Sequence, residues 1–295
     1  MKIAKVIATS FYYRTIRHNT ELCGNPPVYT LHSQKFTNDE EIKKLILFNI
    51  ENENNCNPGI PVDLILVNND VGNKDGNDFI SKFNGKDITN GKIIVIQNNN
   101  NGWSYGAYNK AFQELKDNYD YFIFTEDDMI IAKENYAKIG YDIFINNKNC
   151  GFVSYWGLSY NHDSLSLNDS IHAHGASGFT STAILKEINK KYGRLPHSDF
   201  YDKKYYENII LEGEIKFTNS ILKMGYSLLE VPENNKLFEP AYDLMRGIKK
   251  PWKPSKFSSY IWVFKKKFRK AIYEFLIYFK LYVFYKKIRK LFLKY

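Results

Sequence analysis

The chain has 295 residues, of which 44% are hydrophobic and 16% aromatic, and its formal net charge is +9. This length and apolar content fit a globular protein with a proper core, organised as one large domain or as a domain with an appendage. The three cysteines, Cys23, Cys56 and Cys150, are far apart, odd in number and form no C-x-x-C pair. They argue against a disulfide framework or a zinc site and favour a reducing compartment. The N-terminal apolar run is too short for a secretory signal, so we expect a first strand there.

The charge is distributed unevenly along the chain. Residues Lys249 to Tyr295 contain 15 Lys and Arg and one acid, so this segment carries +14, while the remainder carries −5. We therefore expect a mildly acidic globular domain over 1–250 and a basic tail over 251–295. Such asymmetry indicates an anionic surface as the partner of the tail alone.

Short apolar runs alternate with helical patterns in the first half of the chain. The apolar runs predict strands at 3–9, 62–67, 92–97 and from 121, and the helical patterns predict helices at 38–50, 78–83 and 105–115, with a loop at 51–59. In the second half we predict strands at 151–157 and 226–231, a glycine-bearing loop that becomes a helix within 172–188, and a helix that ends near Gly225. This alternation predicts an α/β fold, a mostly parallel sheet flanked by helices.

Polar residues follow several predicted strands at their carboxyl ends, where ligands bind in open parallel sheets. Asn69 and Asp70 follow the second strand, Asn101 and Gly102 the third, and the acids 126–128 the fourth. Three consecutive acids after an apolar run either lie in water at a turn or hold a cation, because burying them unpaired is costly. Hard oxygen ligands at this density suit Mg²⁺ or Mn²⁺ bound together with phosphates. Three polar strand ends together favour a binding site.

These features resemble the nucleotide-sugar glycosyltransferases with the GT-A fold, closest in motif order to family 2, over residues 3–232. Strand two ends in Asn69-Asp70, and NNGWSYGAYNKAF (100–112) is similar to the family's N-x-G-x-x-x-A-x-N element. Glu126-Asp127-Asp128 stands in the position of the DXD motif. Glu214, followed eleven residues later by Gly225-Tyr226, is similar to the ED…G-Y element.

The resemblance implies a metal-dependent glycosyltransferase that uses Mn²⁺ or Mg²⁺, a nucleotide-sugar donor and a glycan or glycolipid acceptor. Asp128 is the expected metal ligand, with Glu126 beside it, while Asp127 can face the opposite side of an extended segment. Glu214 is the expected general base and Glu212 the reserve, because the family's two adjacent acids are separated here by a glycine. A single displacement of this kind inverts the anomeric configuration. The residues expected to bind the donor are Thr9, Tyr12, Arg14, Asn69, Asp70, Asn101, Gly102, Asn109, Glu126 and Asp127.

Two histidines, His172 and His174, lie upstream of the expected base. Some GT-A enzymes have a late histidine that binds the metal, and no histidine follows Gly225 here. His172 and His174 can replace it only if their loop folds back, and an isolated H-x-H is more typical of a solvated loop.

The tail has an apolar residue at every third or fourth position from 264 to 292, with Lys and Arg between them. It contains no uncharged run near the ~20 residues that span a bilayer. This pattern favours a basic amphipathic helix at an anionic membrane interface over packing on the protein's own surface or binding nucleic acid. We therefore expect a cytoplasmic enzyme, peripheral on the inner face of the cell membrane, in bacterial surface polysaccharide or lipooligosaccharide synthesis.

Two alternatives remain open at this stage. One is a sugar-nucleotide nucleotidylyltransferase, which is expected to carry a glycine-rich basic loop after its first strand, whereas TSFYYRT (9–15) has no glycine. The other is a non-catalytic membrane-binding protein built on a degenerate transferase fold.

Overall fold

The computed structural model describes residues 1–12, 14–15, 35–36, 38–131, 133–159, 172–200, 206–232, 237–241 and 245. The basic tail, 251–295, lies outside the described residues. Its amphipathic helix and its membrane association therefore stay predictions.

The strands are β1 (Ile3–Thr9), β2 (Arg14–Thr15), β3 (Lys35–Phe36), β4 (Val62–Asp70), β5 (Asp87–Ile88), β6 (Gly91–Asn99), β7 (Tyr121–Glu126), β8 (Met129–Ile131), β9 (Cys150–Ser154), β10 (Leu158–Ser159), β11 (His172–Ala173), β12 (Gly178–Ser181), β13 (Ser227–Glu230) and β14 (Phe238–Pro240). The α-helices are α1 (Asp39–Asn55), α2 (Lys74–Ser81), α3 (Trp103–Leu115), α4 (Tyr136–Ile145), α5 (Thr182–Tyr192), α6 (Tyr206–Ile210) and α7 (Lys216–Lys223). A π-helical turn (Leu211–Ile215) joins α6 to α7.

Eight strands form one sheet in the order β13-β9-β12-β7-β1-β4-β6-β5. β1 is parallel to both β4 and β7, β4 is parallel to β6, and β9 is parallel to β13. β12 runs antiparallel between β7 and β9. The fold class predicted from the sequence, a mostly parallel α/β sheet flanked by helices, is confirmed.

Helices cover both faces of the central strands because successive side chains of a strand point to opposite faces. On one face, Val6 belongs to a core cluster that includes Ala111 and Phe112 of α3. On the other face, Ile7 belongs to a cluster that includes Ile42 and Leu45 of α1. The carboxyl ends of β1, β4, β6 and β7 consequently meet at one edge of the sheet, between these two layers.

The prediction of a loop at 51–59 is wrong for residues 51–55, because α1 continues to Asn55. The inward face of this last part of the helix is polar. Asn52 Nδ2 donates to the Ile131 carbonyl over 2.9 Å, and Glu53 accepts from Lys5 Nζ over 2.5 Å. Since these partners come from distant strands, the helix is stabilised by contacts that apolar periodicity does not reveal.

Two further elements, α2 and β12, differ from the sequence prediction. α2 begins at Lys74 rather than near residue 78, because the Asn73 side chain caps it by accepting from the Gly76 N–H. Strand β12 was not predicted at all, since the segment that contains it was assigned to a loop.

Among the described residues, the structure contains no helix that is long and apolar enough to cross a membrane.

Candidate functional site

The three consecutive acids lie at the end of β7, whose last residue is Glu126, and they differ in their surroundings. Asp127 is 1% exposed, its N–H donates to the Ala8 carbonyl over 3.2 Å, and its own carbonyl accepts from Asn49 Nδ2 over 2.7 Å. Glu126 and Asp128 are half-buried on either side of it. This alternation is the geometry expected of an extended segment, and it leaves Glu126 and Asp128 as the two more accessible acids.

The ends of β1 and β4 lie beside these acids. Thr9 is 1% exposed, and its hydroxyl has no hydrogen-bond partner among the described residues. Asn69 is buried and holds neighbouring chain segments, accepting from Asn98 Nδ2 over 2.7 Å and donating to the Trp103 carbonyl over 3.2 Å. Asp70 is exposed and accepts from the N–H of Gly72 over 2.8 Å. Of these predicted donor-binding residues, Thr9 is the one with an unsatisfied buried polar atom.

The start of α3 is a tight backbone turn. Gly102 has φ +71° and Trp103 has φ +52°, a left-handed conformation that is uncommon for residues other than glycine. A Cβ on Gly102 would lie 2.5 Å from the Ser198 carbonyl oxygen. Glycine is therefore required here, because the 193–200 segment crosses directly over the start of the helix.

The other two predicted residues in this element lie in different surroundings. Asn101 is exposed. Asn109 Oδ1 accepts from the Leu195 N–H over 2.9 Å and so fastens the 193–200 segment to α3. This contact is structural, and donor binding by Asn109 stays a prediction.

A cavity of about 770 Å³ opens where β1 and β4 end. Its lining residues are Phe11, Tyr12, Val71, Gly72, Asn73, Lys74 and Asp75. Tyr12, a predicted donor-binding residue, is half exposed at its rim. Arg14 lies in β2, and its side chain is outside what the structure describes. The cavity is wide and largely open to solvent, and its lining mixes aromatic and polar groups.

The π-helical turn Leu211–Ile215 separates the two candidate bases. Glu212 is exposed, and its carboxylate pairs with Lys216 Nζ at 2.6 Å on the helix surface. Glu214 is 6% exposed and faces the inside of the protein. π-Turns are rare and are found frequently at functional sites. Of the two carboxylates, Glu214 therefore has the environment of a functional group.

Four groups surround the Glu214 carboxylate. Tyr105 OH donates to Oε2 over 3.1 Å, while His172 Nε2 and His174 Nδ1 lie 3.5 and 3.8 Å from Oε1. Burial raises the pKa of Glu214 to about 7, and hydrogen bonds from the Gly175 backbone and from Tyr105 oppose that rise. Such a carboxyl exchanges its proton near neutral pH, as a general base requires.

The loop that carries the two histidines folds back onto Glu214, unlike the solvated loop that the H-x-H pattern favours. β11 places His172 in the interior by pairing antiparallel with β10. A tight turn then follows, with Gly175 at φ +60° and Ala176 at φ +46°. The sequence contains the glycine of this turn, but the pairing partner of β11 could not be read from it.

Consecutive residues of α3 connect the acids of β7 to Glu214. Ser104 Oγ donates to Glu126 Oε1 over 2.5 Å, and the neighbouring Tyr105 OH donates to Glu214. Ser104 and Tyr105 were missed by sequence reasoning, although both lie inside the N-x-G-x-x-x-A-x-N element. One helix start thus orients a carboxylate of the acidic triplet and the buried carboxylate of the π-turn.

Neither a protein-family model nor a curated protein matches the sequence. Among solved structures, the chain is similar to a Bacillus anthracis protein named as a glucose-1-phosphate thymidylyltransferase and solved in complex with a sucrose. The match covers 86% of this chain and 98% of that one, with 11% identity and a TM-score of 0.41. Similarity at this level carries no information on activity.

Proposed function

We propose that the chain is a metal-dependent glycosyltransferase that moves a sugar from a nucleotide-sugar donor to a glycan or glycolipid acceptor. The observation that carries this proposal is the pair of hydrogen bonds from Ser104 and Tyr105, which orients Glu126 and Glu214 from one helix start. A transferase of this class needs two such acidic groups. One binds the cation of the donor diphosphate, and the other accepts a proton from the acceptor.

The half-buried acids of the triplet fit the metal role. Asp128, with Glu126, would hold the Mn²⁺ or Mg²⁺ ion that neutralises the departing nucleoside diphosphate, and hard oxygen donors suit those ions. The cavity beside Tyr12 takes the nucleoside, and Thr9, whose buried hydroxyl is unsatisfied, lies at the strand end next to it. Asn69, Asp70, Asn101, Gly102, Asn109, Arg14 and Asp127 complete the proposed donor-binding set.

Glu214 is the proposed base. The acceptor hydroxyl attacks the anomeric carbon, the bond from that carbon to the donor phosphate breaks, and Glu214 takes the hydroxyl proton. The carboxylate is held for this task by Tyr105, and its pKa of about 7 lets it accept a proton at neutral pH. A single displacement with one base inverts the anomeric configuration.

The experiment is a panel of nucleotide sugars with Mn²⁺, scored by release of the nucleoside diphosphate. Binding partners are chosen first by thermal shift with nucleoside diphosphates, because a ligand that binds only the folded state raises its stability. We expect turnover with at least one donor, its loss in Asp128→Ala, and a fall of about 10²–10⁴-fold in Glu214→Gln. Glu212→Gln is the matched control and should retain activity, since Glu212 is exposed and paired with Lys216.

Two results would contradict the proposal. Formation of a nucleotide sugar from a nucleoside triphosphate and a sugar 1-phosphate, with release of pyrophosphate, would identify a nucleotidylyltransferase. Absence of turnover with every donor, in a protein that still binds vesicles, would favour the non-catalytic membrane protein.

The basic segment completes the proposal. We assign residues 1–250 to the catalytic domain and 251–295 to a membrane-associating tail that holds the enzyme on the inner, cytoplasmic face of the cell membrane, in bacterial surface polysaccharide or lipooligosaccharide synthesis. Deletion of 255–295 should leave activity on a soluble acceptor and abolish sedimentation with anionic vesicles. Unchanged sedimentation of the truncated protein would refute this role of the tail.

A further inference from the structure

Two histidines and a buried carboxylate converge beside the start of α3. The imidazoles of His172 and His174 and the carboxylate of Glu214 each offer one ligand atom, and these atoms lie within 4.8 Å of one another. Both histidines approach the same carboxylate oxygen, at 3.5 and 3.8 Å. Two ligands of a tetrahedral zinc ion, each ~2.0–2.1 Å from the metal, are ~3.4 Å apart. The two histidine-to-carboxylate separations are within about 0.5 Å of this value, and the widest separation in the group, up to 4.8 Å, has to close by up to about 1.4 Å to complete a coordination sphere.

The donor set differs from that of the acidic triplet. Imidazole nitrogen suits Zn²⁺ and Co²⁺, whereas Mg²⁺ and Mn²⁺ prefer oxygen. Two further features are typical of a built metal site. The other oxygen of Glu214 accepts from Tyr105, which orients the carboxylate, and His174 is 46% exposed, which gives an ion access from solvent.

We propose that His172, His174 and Glu214 bind one divalent transition-metal ion of the Zn²⁺ class, through a ligand set that does not include Glu126 or Asp128. Three protein ligands leave a fourth position open for water. One consequence rests on the proposed function: a carboxylate that binds the ion cannot take the acceptor proton, so Zn²⁺ inhibits transfer while Mn²⁺ supports it.

The test is a titration of the full-length protein, without a histidine tag and freed of metal by EDTA, with Co²⁺. We expect the visible ligand-field absorption of a tetrahedral ion, saturating at one equivalent and displaced by Zn²⁺. His174→Gln and Glu214→Gln should lose this absorption. Glu212→Gln is the matched control, because it removes a carboxylate from the same turn, and it should keep the absorption unchanged.

A second measurement distinguishes loss of metal binding from misfolding of a variant. Zn²⁺ should raise the melting temperature of the unmodified protein and leave that of a folded His174→Gln variant unchanged. Absence of Co²⁺ absorption, equal absorption in His174→Gln, or loss of absorption in Glu212→Gln would each overturn the proposal. Because these readouts need no donor, failure to find any transferase activity would refute the proposed function and leave the metal site standing.

Discussion

Gly213 lies in the π-turn next to Glu214, and its missing side chain makes room for Tyr105. A Cβ at this position would lie under 3.0 Å from three atoms of the Tyr105 ring. The ring cannot easily move away, because it is buried and packs edge-on against Tyr108, which in turn stacks on Phe124. Gly213→Ala should therefore strain the contact that holds the candidate base.

The size of the effect follows from two opposing terms. Overpacking of a filled core costs about 1–3 kcal/mol. Alanine is favoured over glycine in a helix by roughly 0.5–1 kcal/mol. The difference is a net loss of about 0–2.5 kcal/mol with a midpoint of about 1.2 kcal/mol, and this midpoint corresponds to a fall in melting temperature of about 2–5 °C, at roughly 2–4 °C per kcal/mol for domains of 150–250 residues. Differential scanning calorimetry of the metal-free protein measures this fall.

A double-mutant cycle tests the assigned cause. In a Tyr105→Ala background the ring is gone, so Gly213→Ala should lose its penalty and become neutral or slightly stabilising. An equal cost of Gly213→Ala with and without the Tyr105 ring would refute the reasoning, because the penalty would then come from the backbone of the π-turn.

Two further predictions concern buried polar groups. Glu53→Gln should lower the free energy of unfolding, measured by urea titration, by about 3–5 kcal/mol. The reason is that the buried Lys5 ammonium, 2.5 Å from the Glu53 carboxylate, loses its counter-charge. A loss of less than about 1 kcal/mol would mean that Lys5 is solvated. Burial lowers the pKa of His197 from its ordinary 6.5, with Arg194 also lowering it and Asp199 raising it. Its contribution to stability is therefore present above pH 6.5 and lost as the pH falls through the lowered pKa. Urea titrations at pH 7.5 and 5.5 should show a larger loss on acidification for the unmodified protein than for His197→Gln, and equal losses would contradict this.

The central strands could be predicted because their signal is local. β1, β4 and β7 are short apolar runs that are buried on both faces of the sheet. The ends of β1 and β4 were predicted within three residues, and β7 begins at the predicted residue 121. β12 could not be predicted in the same way. It has four residues, begins with a glycine, and exists because β7 and β9 pair with it from both sides.

The last part of α1 shows a different limit of sequence reasoning. Its sequence, ENENN (51–55), is polar throughout and was predicted as a loop. In the structure Glu53 is buried, and it is bonded to Lys5 and to the Tyr136 hydroxyl. A helix whose inner face is polar has no apolar period, so its length is set by partners that only the folded chain supplies.

The part of the candidate site that follows a strand could be predicted from the sequence. The part that forms because a distant loop folds back onto the site could not. The acids 126–128 come directly after an apolar run, so their place at the sheet edge follows from the sequence. The proximity of His172 to Glu214 depends on the pairing of β10 with β11 and on a π-turn, neither of which has a local signature. For the same reason the sequence could not rank Glu212 below Glu214 by environment.

The arrangement around α3 explains why two carboxylates of the site can serve different chemistry. Glu126 receives the Ser104 hydroxyl at a half-buried strand end, where oxygen ligands and water remain available to a hard cation. Glu214 receives the Tyr105 hydroxyl inside the protein, where burial raises its proton affinity and two imidazoles face it. Consecutive residues of the same helix start, Ser104 and Tyr105, set the two environments. A change at the 193–200 segment, which crosses that start, should therefore disturb both carboxylates together, whereas a change in the π-turn should disturb Glu214 alone.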